Sequence, residues 1–173
     1  MLLLATTAHA APYVGLAARG GLNRFGSWNM LTAGVEAQGY VTPALRVVVG
    51  KEVFTVRRVL PPELQLDSGV YSEWESIWPW SAGALYGFDL GRADPYAGVD
   101  LVAARYLKDR DGSEWSLGGR LRGGVDLELV PHLAYNANLA IGLWSGERWD
   151  VIEAGLPNTG LVAQISTGLA VSF

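Results

Sequence analysis

The segment from residue 115 to residue 129 alternates between two kinds of side chain with a period of two. Its odd positions hold only Trp, Leu, Val and Gly, whereas its even positions carry every charge in the segment. The charged residues are Arg120, Arg122, Asp126 and Glu128. Because successive side chains of a β-strand point to opposite faces, the segment predicts a strand with one charged face and one apolar face. Such a strand separates two environments of different polarity.

Seven further segments show a similar alternation. Together with residues 115–129 they predict eight strands of roughly eleven residues, the length that crosses a membrane when a strand is tilted. The seven segments are residues 12–22, 30–41, 45–56, 80–90, 96–107, 133–144 and 161–173.

The connections between these strands alternate in length. Short turns surround Pro43, Arg92 and Pro131, whereas residues 57–79 and 145–160 form long connections at the other end, where all seven Trp also fall. Short turns, long loops and aromatic girdles arranged in this way are typical of transmembrane barrels. The sequence therefore predicts an all-β fold, an eight-stranded antiparallel up-and-down transmembrane β-barrel, with both termini at the short-turn end.

The last predicted strand ends on an aromatic residue that follows aliphatic residues two and four places earlier. It resembles the closing strand of bacterial outer-membrane β-barrels, and residues 11–173 as a whole resemble the small barrels of the OmpA-transmembrane-domain and OmpX type. The resemblance implies that the assembly machinery of the outer membrane reads this strand, with periplasmic chaperones as earlier partners. The residues implied in the assembly signal are Gly168, Leu169, Val171 and Phe173.

Composition excludes several other classes of protein. No apolar run of this 173-residue chain approaches the ~18 residues of a spanning helix. A net charge of −4 without a basic cluster argues against nucleic-acid binding, and the absence of Cys excludes disulfides and thiolate sites. Only Lys51 and Lys108 are lysines. Because water-facing β-proteins commonly use Lys to block edge pairing, we expect much of the outside to face something other than water.

The amino terminus has the features of an exported segment. Residues 1–10 are mostly apolar and end in Ala8-His9-Ala10, which is a signal-peptide cleavage pattern. A positive n-region is missing, so we expect the true start of the signal peptide to precede Met1. Residues 11–173 would then form the barrel in the outer membrane of a Gram-negative bacterium, with both termini in the periplasm.

The polar strand faces predict a filled lumen. They consist mainly of Gly, Ala, Ser and Asn with charges of both signs, and eight strands enclose a space just wide enough for side chains. Unpaired buried charges are costly, so we expect pairing, with a gated conduction path as the alternative. Lys51 has outward parity and is expected to snorkel to the interface. The predicted network comprises Arg19, Glu36, Gln38, Asp89, Asp100, Arg120, Arg122, Asp126, Glu128, Asn136 and Asn138.

Catalysis is not indicated by any residue pattern. Some barrels that the chain resembles are lipid A-modifying enzymes with a His and a Ser or an acid near the outer rim. Here the His that remains after signal removal is His132, in a turn at the opposite end, and no set of residues has metal-ligand spacing. We therefore predict no enzymatic activity, no metal and no cofactor.

The long connections are the predicted interaction surfaces. Exposed aromatic residues are costly unless they contact lipid or a partner, so Tyr71, Trp74 and Trp78 are candidates for recognition. We predict a monomeric outer-membrane protein that contributes to envelope structure or surface interaction, with membrane lipid and lipopolysaccharide as partners. The alternatives are a channel for small solutes or apolar molecules, and a soluble lipocalin-like barrel in which the apolar faces bind a ligand.

Overall fold

The computed structural model describes residues 14–25, 28–59, 72–108, 112–144 and 160–173. The eight strands in these ranges form a closed antiparallel barrel in which each strand pairs with its sequence neighbours and β1 pairs with β8. The predicted fold is therefore confirmed. Within the described ranges, no helix is long and apolar enough to cross a membrane. The strands are β1 (Val14–Phe25), β2 (Trp28–Tyr40), β3 (Leu45–Val59), β4 (Ser72–Gly87), β5 (Ala93–Lys108), β6 (Gly112–Val130), β7 (Leu133–Trp144) and β8 (Leu161–Ser172).

The outer wall of the barrel is apolar and its lumen is polar. On β6, Leu117 and Leu121 are 62% and 65% exposed, whereas Arg120 and Arg122 are 6% and 4% exposed. The same alternation of exposed and buried positions recurs along β7 and β8. A soluble lipocalin-like barrel requires the opposite arrangement, with apolar side chains inside. The structure contradicts that alternative.

The two ends of the barrel differ. Val14 and Phe173, the first and last described residues, and the turns at residues 41–44, 88–92 and 131–132 lie at one end, called here the termini end. The opposite end, where β1 joins β2, β3 joins β4, β5 joins β6 and β7 joins β8, is called the hairpin end. The predicted signal peptide and the central part of each long connection, including Tyr71, lie outside the described residues.

The β3–β4 hairpin is longer than the sequence predicted. Val59 pairs with Ser72, so residues 72–79 belong to β4 rather than to a connection. Pro79 lies within this strand, and the register between β3 and β4 omits the pairs of Glu52 and Val53 there. Proline has no N–H for a ladder, so it interrupts the pairing locally. The prediction placed the start of the strand at Trp80, with extension of the hairpin into residues 57–79 as an alternative because part of that segment alternates.

The turn between β6 and β7 is irregular. The register shifts between Glu128 and Val130, and His132 has a φ of 71°, which is uncommon for a residue other than glycine. The carbonyl oxygen of His132 accepts a hydrogen bond of 3.0 Å from the N–H of Ser172. This turn is therefore tied to the end of β8.

Apolar side chains also fill parts of the lumen. At the hairpin end, the rings of Phe54 and Trp144 lie 5.5 Å apart between centroids. Towards the termini end, Val48, Leu85 and Tyr96 form a smaller buried cluster. Polar side chains occupy the middle of the lumen. The hairpin-end cluster consists of Met30, Phe54, Ile77, Val102, Ala104, Trp144 and Val162.

Candidate functional site

Four arginines and four carboxylates from five strands point into the lumen and form ion pairs, so their formal charges cancel. Amide and hydroxyl groups complete the hydrogen bonds of these charges. This set is called the lumen network. Its charged members are Arg19, Arg46, Arg120, Arg122, Glu36, Glu52, Asp100 and Asp126, and its neutral members are Gln38, Tyr96, Asn136, Asn138, Gln164 and Ser166.

Arg120 connects three strands other than its own. Its Nη2 atom lies 2.8 Å from Oε1 of Glu52, and its Nε atom lies 2.8 Å from Oδ2 of Asp100. Its Nη1 atom donates hydrogen bonds to Gln164 at 3.0 Å and to Glu52 at 3.1 Å. Gln164 in turn donates to Glu52 at 3.3 Å. A planar guanidinium can bind several acceptors in this way because its five donors point in fixed directions.

Arg122 lies one inward position closer to the termini end. Its Nη1 atom is 2.6 Å from Oε2 of Glu36 and 3.3 Å from Oδ2 of Asp100. Glu36 also pairs with Arg19 and accepts a 3.0 Å hydrogen bond from Gln38. Asp100 therefore lies between Arg120 and Arg122, and Glu36 between Arg122 and Arg19. This alternation of sign stabilises charges that would be costly to bury alone.

A second group of contacts lies at the termini end. Nη1 of Arg46 is 2.6 Å from Oδ2 of Asp126, and the guanidinium carbon lies 4.9 Å from the ring centroid of Tyr96. Asn136 donates to Asp126 at 2.6 Å and to the Tyr96 hydroxyl at 2.9 Å. Tyr96 lies over Gly124, where a Cβ atom would approach the hydroxyl oxygen to 2.5 Å. Glycine at this position leaves the space that the ring needs.

Nine of the eleven predicted network residues contact one another in this arrangement, and two do not. Asp89 follows the end of β4, is exposed and accepts a 2.8 Å hydrogen bond from the N–H of Gly91. Glu128 is exposed beside the register shift at the end of β6. The prediction was wrong for both because it extended the strand alternation past the point where the barrel wall ends.

The prediction omitted five described residues that belong to the network. Arg46 and Glu52 lie on the inward face of β3, and their parity, opposite to that of Lys51, was the signal for including them. The other three are on the inward faces of their strands, and their parity was the signal that could have identified them. They are Tyr96, Gln164 and Ser166.

One small cavity lies beside the network. A cavity of ≈ 10 Å³ is lined by Arg19, Thr32, Glu52 and Gln164, among others. Within the described residues, Nη1 of Arg19 is buried without a hydrogen-bond partner. A cavity of this size holds about one water molecule. Among the described residues, no group of three or more His, Cys, Asp or Glu could hold a metal ion.

The residues of the predicted assembly signal occupy different surfaces. Leu169 and Val171 face outward on β8, and Phe173 is 64% exposed just after the strand. Gly168 is on the inward face, paired with Arg19 across the seam between β1 and β8. The backbone N–H of Phe173 donates a 2.9 Å hydrogen bond to Val14. The terminal residues thus close the barrel against its first strand.

The recognition candidates that can be described lie on a strand. Trp74 is within β4, paired with Arg57, and Trp78 is 53% exposed on the outer wall of β4 at the hairpin end. Both had been assigned to a loop. The physical reason is the extension of the β3–β4 hairpin past Pro79.

An eight-stranded barrel with an apolar outer wall and a charge-paired lumen has the fold of the small outer-membrane β-barrels. Neisserial surface protein A is similar, with a TM-score of 0.65 and 18% identity over 95% of this chain and 98% of that chain. The N-terminal β-barrel domain of Pseudomonas aeruginosa OprF has a TM-score of 0.61 and 13% identity over 92% and 96% of the two chains. Ail of Yersinia pestis has a TM-score of 0.52 and 10% identity over the same shares.

These similarities confirm the predicted resemblance at the level of fold. No protein-family model matches the sequence, and no curated protein has a sequence that matches it significantly.

Proposed function

We propose that this protein is a non-enzymatic integral protein of the outer membrane of a Gram-negative bacterium, where it contributes to envelope structure or surface interaction. The observation that carries the proposal is the inverted polarity of the barrel wall. Large apolar side chains such as Leu101 and Leu121, 74% and 65% exposed, cover the outside, while the charges lie within. An apolar surface of this extent is unfavourable in water and favourable in lipid.

The orientation and partners form part of the proposal. Short turns at the termini end support a periplasmic location for both termini, because periplasmic turns are typically short and outer loops long. Closure through β1 and β8 leaves no open edge in the central ladder, which supports a monomer. Chaperones and the assembly machinery are proposed partners during export, and outer-membrane lipid and lipopolysaccharide are proposed partners afterwards.

The absence of enzymatic activity is proposed from the chemistry of the site. The lumen arginines and carboxylates neutralise one another, so none of them is poised as a free base or nucleophile. His132 is exposed at the termini end, far along the barrel from the hairpin end. Surface interaction is assigned to the connections that follow β3 and β7, together with Trp78 on the adjoining wall.

A structural role is favoured over conduction by the packing of the lumen. The hairpin-end cluster and the lumen network lie one behind the other along the barrel axis. Opening a path for solutes would require several ion pairs to break together, and each broken pair would leave a buried charge uncompensated.

Cell fractionation tests the proposal. The protein is expressed with a complete signal sequence, and the outer-membrane fraction is run on a gel with and without boiling. A compact, faster-migrating unboiled band in that fraction is the expected result. A soluble periplasmic protein without such a band would contradict the proposal.

A further inference from the structure

Lys51 is a cation on the outer wall of the barrel. Its backbone pairs with Val35 on β2 and with Trp80 on β4, whose side chains are 63% and 51% exposed. Its Nζ atom donates a 3.3 Å hydrogen bond to the carbonyl oxygen of Trp78 and lies 4.2 Å from the ring centroid of Trp80. The ammonium group therefore extends along the wall towards the hairpin end, as expected for a snorkelling lysine.

The aromatic residues of β4 give the level of this ammonium group in a membrane. Trp78 on β4 and Phe88, one residue past the end of β4, both face outward and are 53% and 54% exposed. Ten residues separate them, and at about 2.5 Å per residue along a tilted strand they span ~25 Å, the height of the apolar band of an outer-membrane barrel. Trp78 therefore marks the hairpin-end edge of the band, where acyl chains meet lipid headgroups.

The interruption of the ladder at Pro79 explains how the ammonium group is held at this edge. Since the pairs of Glu52 and Val53 are omitted there, the carbonyl oxygen of Trp78 accepts a side-chain donor instead. Lys51 has three N–H donors, and this hydrogen bond uses one of them. No carboxylate in the described ranges forms an ion pair with Lys51.

We propose that Lys51, Trp78 and Trp80 form a binding site for the phosphate group of a membrane lipid in the leaflet at the hairpin end. The remaining N–H donors of Lys51 can form charge-assisted hydrogen bonds with phosphate oxygens. The two indole rings can contact the upper acyl chains, since Trp prefers the boundary between headgroups and hydrocarbon. This inference rests on the proposed function, because it requires the apolar band to lie in a bilayer.

Lipid retention by the refolded full-length chain tests the site. Native mass spectrometry of the detergent-solubilised barrel measures binding of dimyristoyl phosphatidic acid, with dimyristoylglycerol as the lipid that lacks only the phosphate. We expect preferential retention of phosphatidic acid. Lys51→Gln should weaken this retention about fivefold, the effect expected for one basic residue at a membrane surface, and Lys51→Arg should restore most of it.

Arg92→Gln is the matched control because it removes an exposed cation from a turn at the termini end. We expect it to change retention much less than Lys51→Gln does. Equal retention of the two lipids, equal losses in the two variants, or displacement of the lipid by inorganic phosphate would each overturn the site. Every sample is also run unboiled. A wild-type chain without a compact band would contradict the barrel proposal and this site together, whereas a folded chain without lipid preference would contradict this site alone.

Discussion

At the scale of single residues, Arg120 determines whether the lumen charges remain compensated. It is the cation that pairs with Glu52 among the described residues, and it also binds Asp100 and Gln164. Arg120→Met would leave Glu52 buried without its partner. Breaking a buried pair from one side typically costs about 3 to 5 kcal/mol, and we expect the free energy of unfolding to fall by that amount. Urea unfolding of the refolded barrel, followed by tryptophan fluorescence, measures the change.

Glu128→Gln is the corresponding control. Glu128 lies on the same strand and was predicted to belong to the network, but it is exposed at the end of the barrel. We expect its substitution to change the free energy of unfolding by less than about 0.5 kcal/mol, as is usual for surface positions. Equal losses in Arg120→Met and Glu128→Gln would contradict the assigned boundary of the network.

The backbone at His132 supports a second prediction at this scale. Its φ of 71° is unfavourable for residues with a Cβ atom and most unfavourable for β-branched ones. His132→Val should lower the free energy of unfolding by about 1 kcal/mol or more, whereas His132→Gly should leave it equal or slightly higher because the released strain offsets the entropy of glycine. Thermal or urea unfolding of both variants and of the parent chain measures their order of stability. A valine variant as stable as the glycine variant would contradict the left-handed turn.

At the scale of the strand, substitutions on β6 test which face of the barrel wall contacts lipid. Leu121 and Leu129 are both outward and exposed, but Leu121 lies in the middle of the wall and Leu129 at its end. Leu121→Arg should cost about 2 to 4 kcal/mol of folding stability in a bilayer, and Leu129→Arg about 0 to 1, because the cost of a lipid-facing charge depends on depth. Refolding into lipid vesicles under urea titration measures both. Similar small costs at the two positions would indicate that the wall does not face hydrocarbon.

Two variants of the closing strand β8 test separately its role in folding and its recognition by the assembly machinery. A Cβ atom at Gly168 would overlap the carbonyl oxygen of Ala18 and lie 2.8 Å from Cα of Arg19, so Gly168→Ala should impair closure of the seam between β1 and β8. Deleting Phe173 removes one exposed side chain and one hydrogen bond. We expect Gly168→Ala to lower refolding in detergent, and the Phe173 deletion to lower assembly in cells while refolding stays largely intact. If cells assembled the deletion variant as well as the parent chain, the resemblance of this strand to an assembly signal would lose its basis.

At the scale of the whole molecule, strand parity predicted the barrel and most of the lumen. Segments such as 115–129 and 133–144 separate apolar from polar residues so clearly that number, order and orientation of strands follow from the sequence. Alternation in part of residues 57–79 indicated that the β3–β4 hairpin extends, but its limit at Ser72 and the exclusion of Asp89 and Glu128 could not be predicted in this way. They depend on where neighbouring strands stop pairing, which is a property of the closed barrel rather than of a single strand.

Which charged side chains pair within the lumen depends even more on how the barrel closes. Arg120 and Glu52 are separated by 68 positions in the sequence, and Arg46 and Asp126 by 80. Parity places each of these side chains inside, but the stagger of the strands decides which of them meet. The sequence therefore predicts inward charges of both signs, and the three-dimensional register assigns the pairs.

The closed lumen leads to a prediction about permeability. Several barriers lie in series along the axis. They include the hairpin-end cluster around Phe54 and Trp144, the ion pairs around Arg120 and Glu52, and the pairs of Arg122 and Arg46 nearer the termini end. We expect the parent barrel to give no steady conductance in planar bilayers. The first two of these barriers can each be removed by a double variant, either Phe54→Ala with Trp144→Ala or Arg120→Ala with Glu52→Ala. Either double variant alone should leave the lumen closed. The four substitutions together should also leave it closed in chains that still show the compact unboiled band, because the pairs of Arg122 with Glu36 and of Arg46 with Asp126 remain. Steady conductance by the parent barrel would instead favour the channel, since the ion pairs would then have to open under an applied potential.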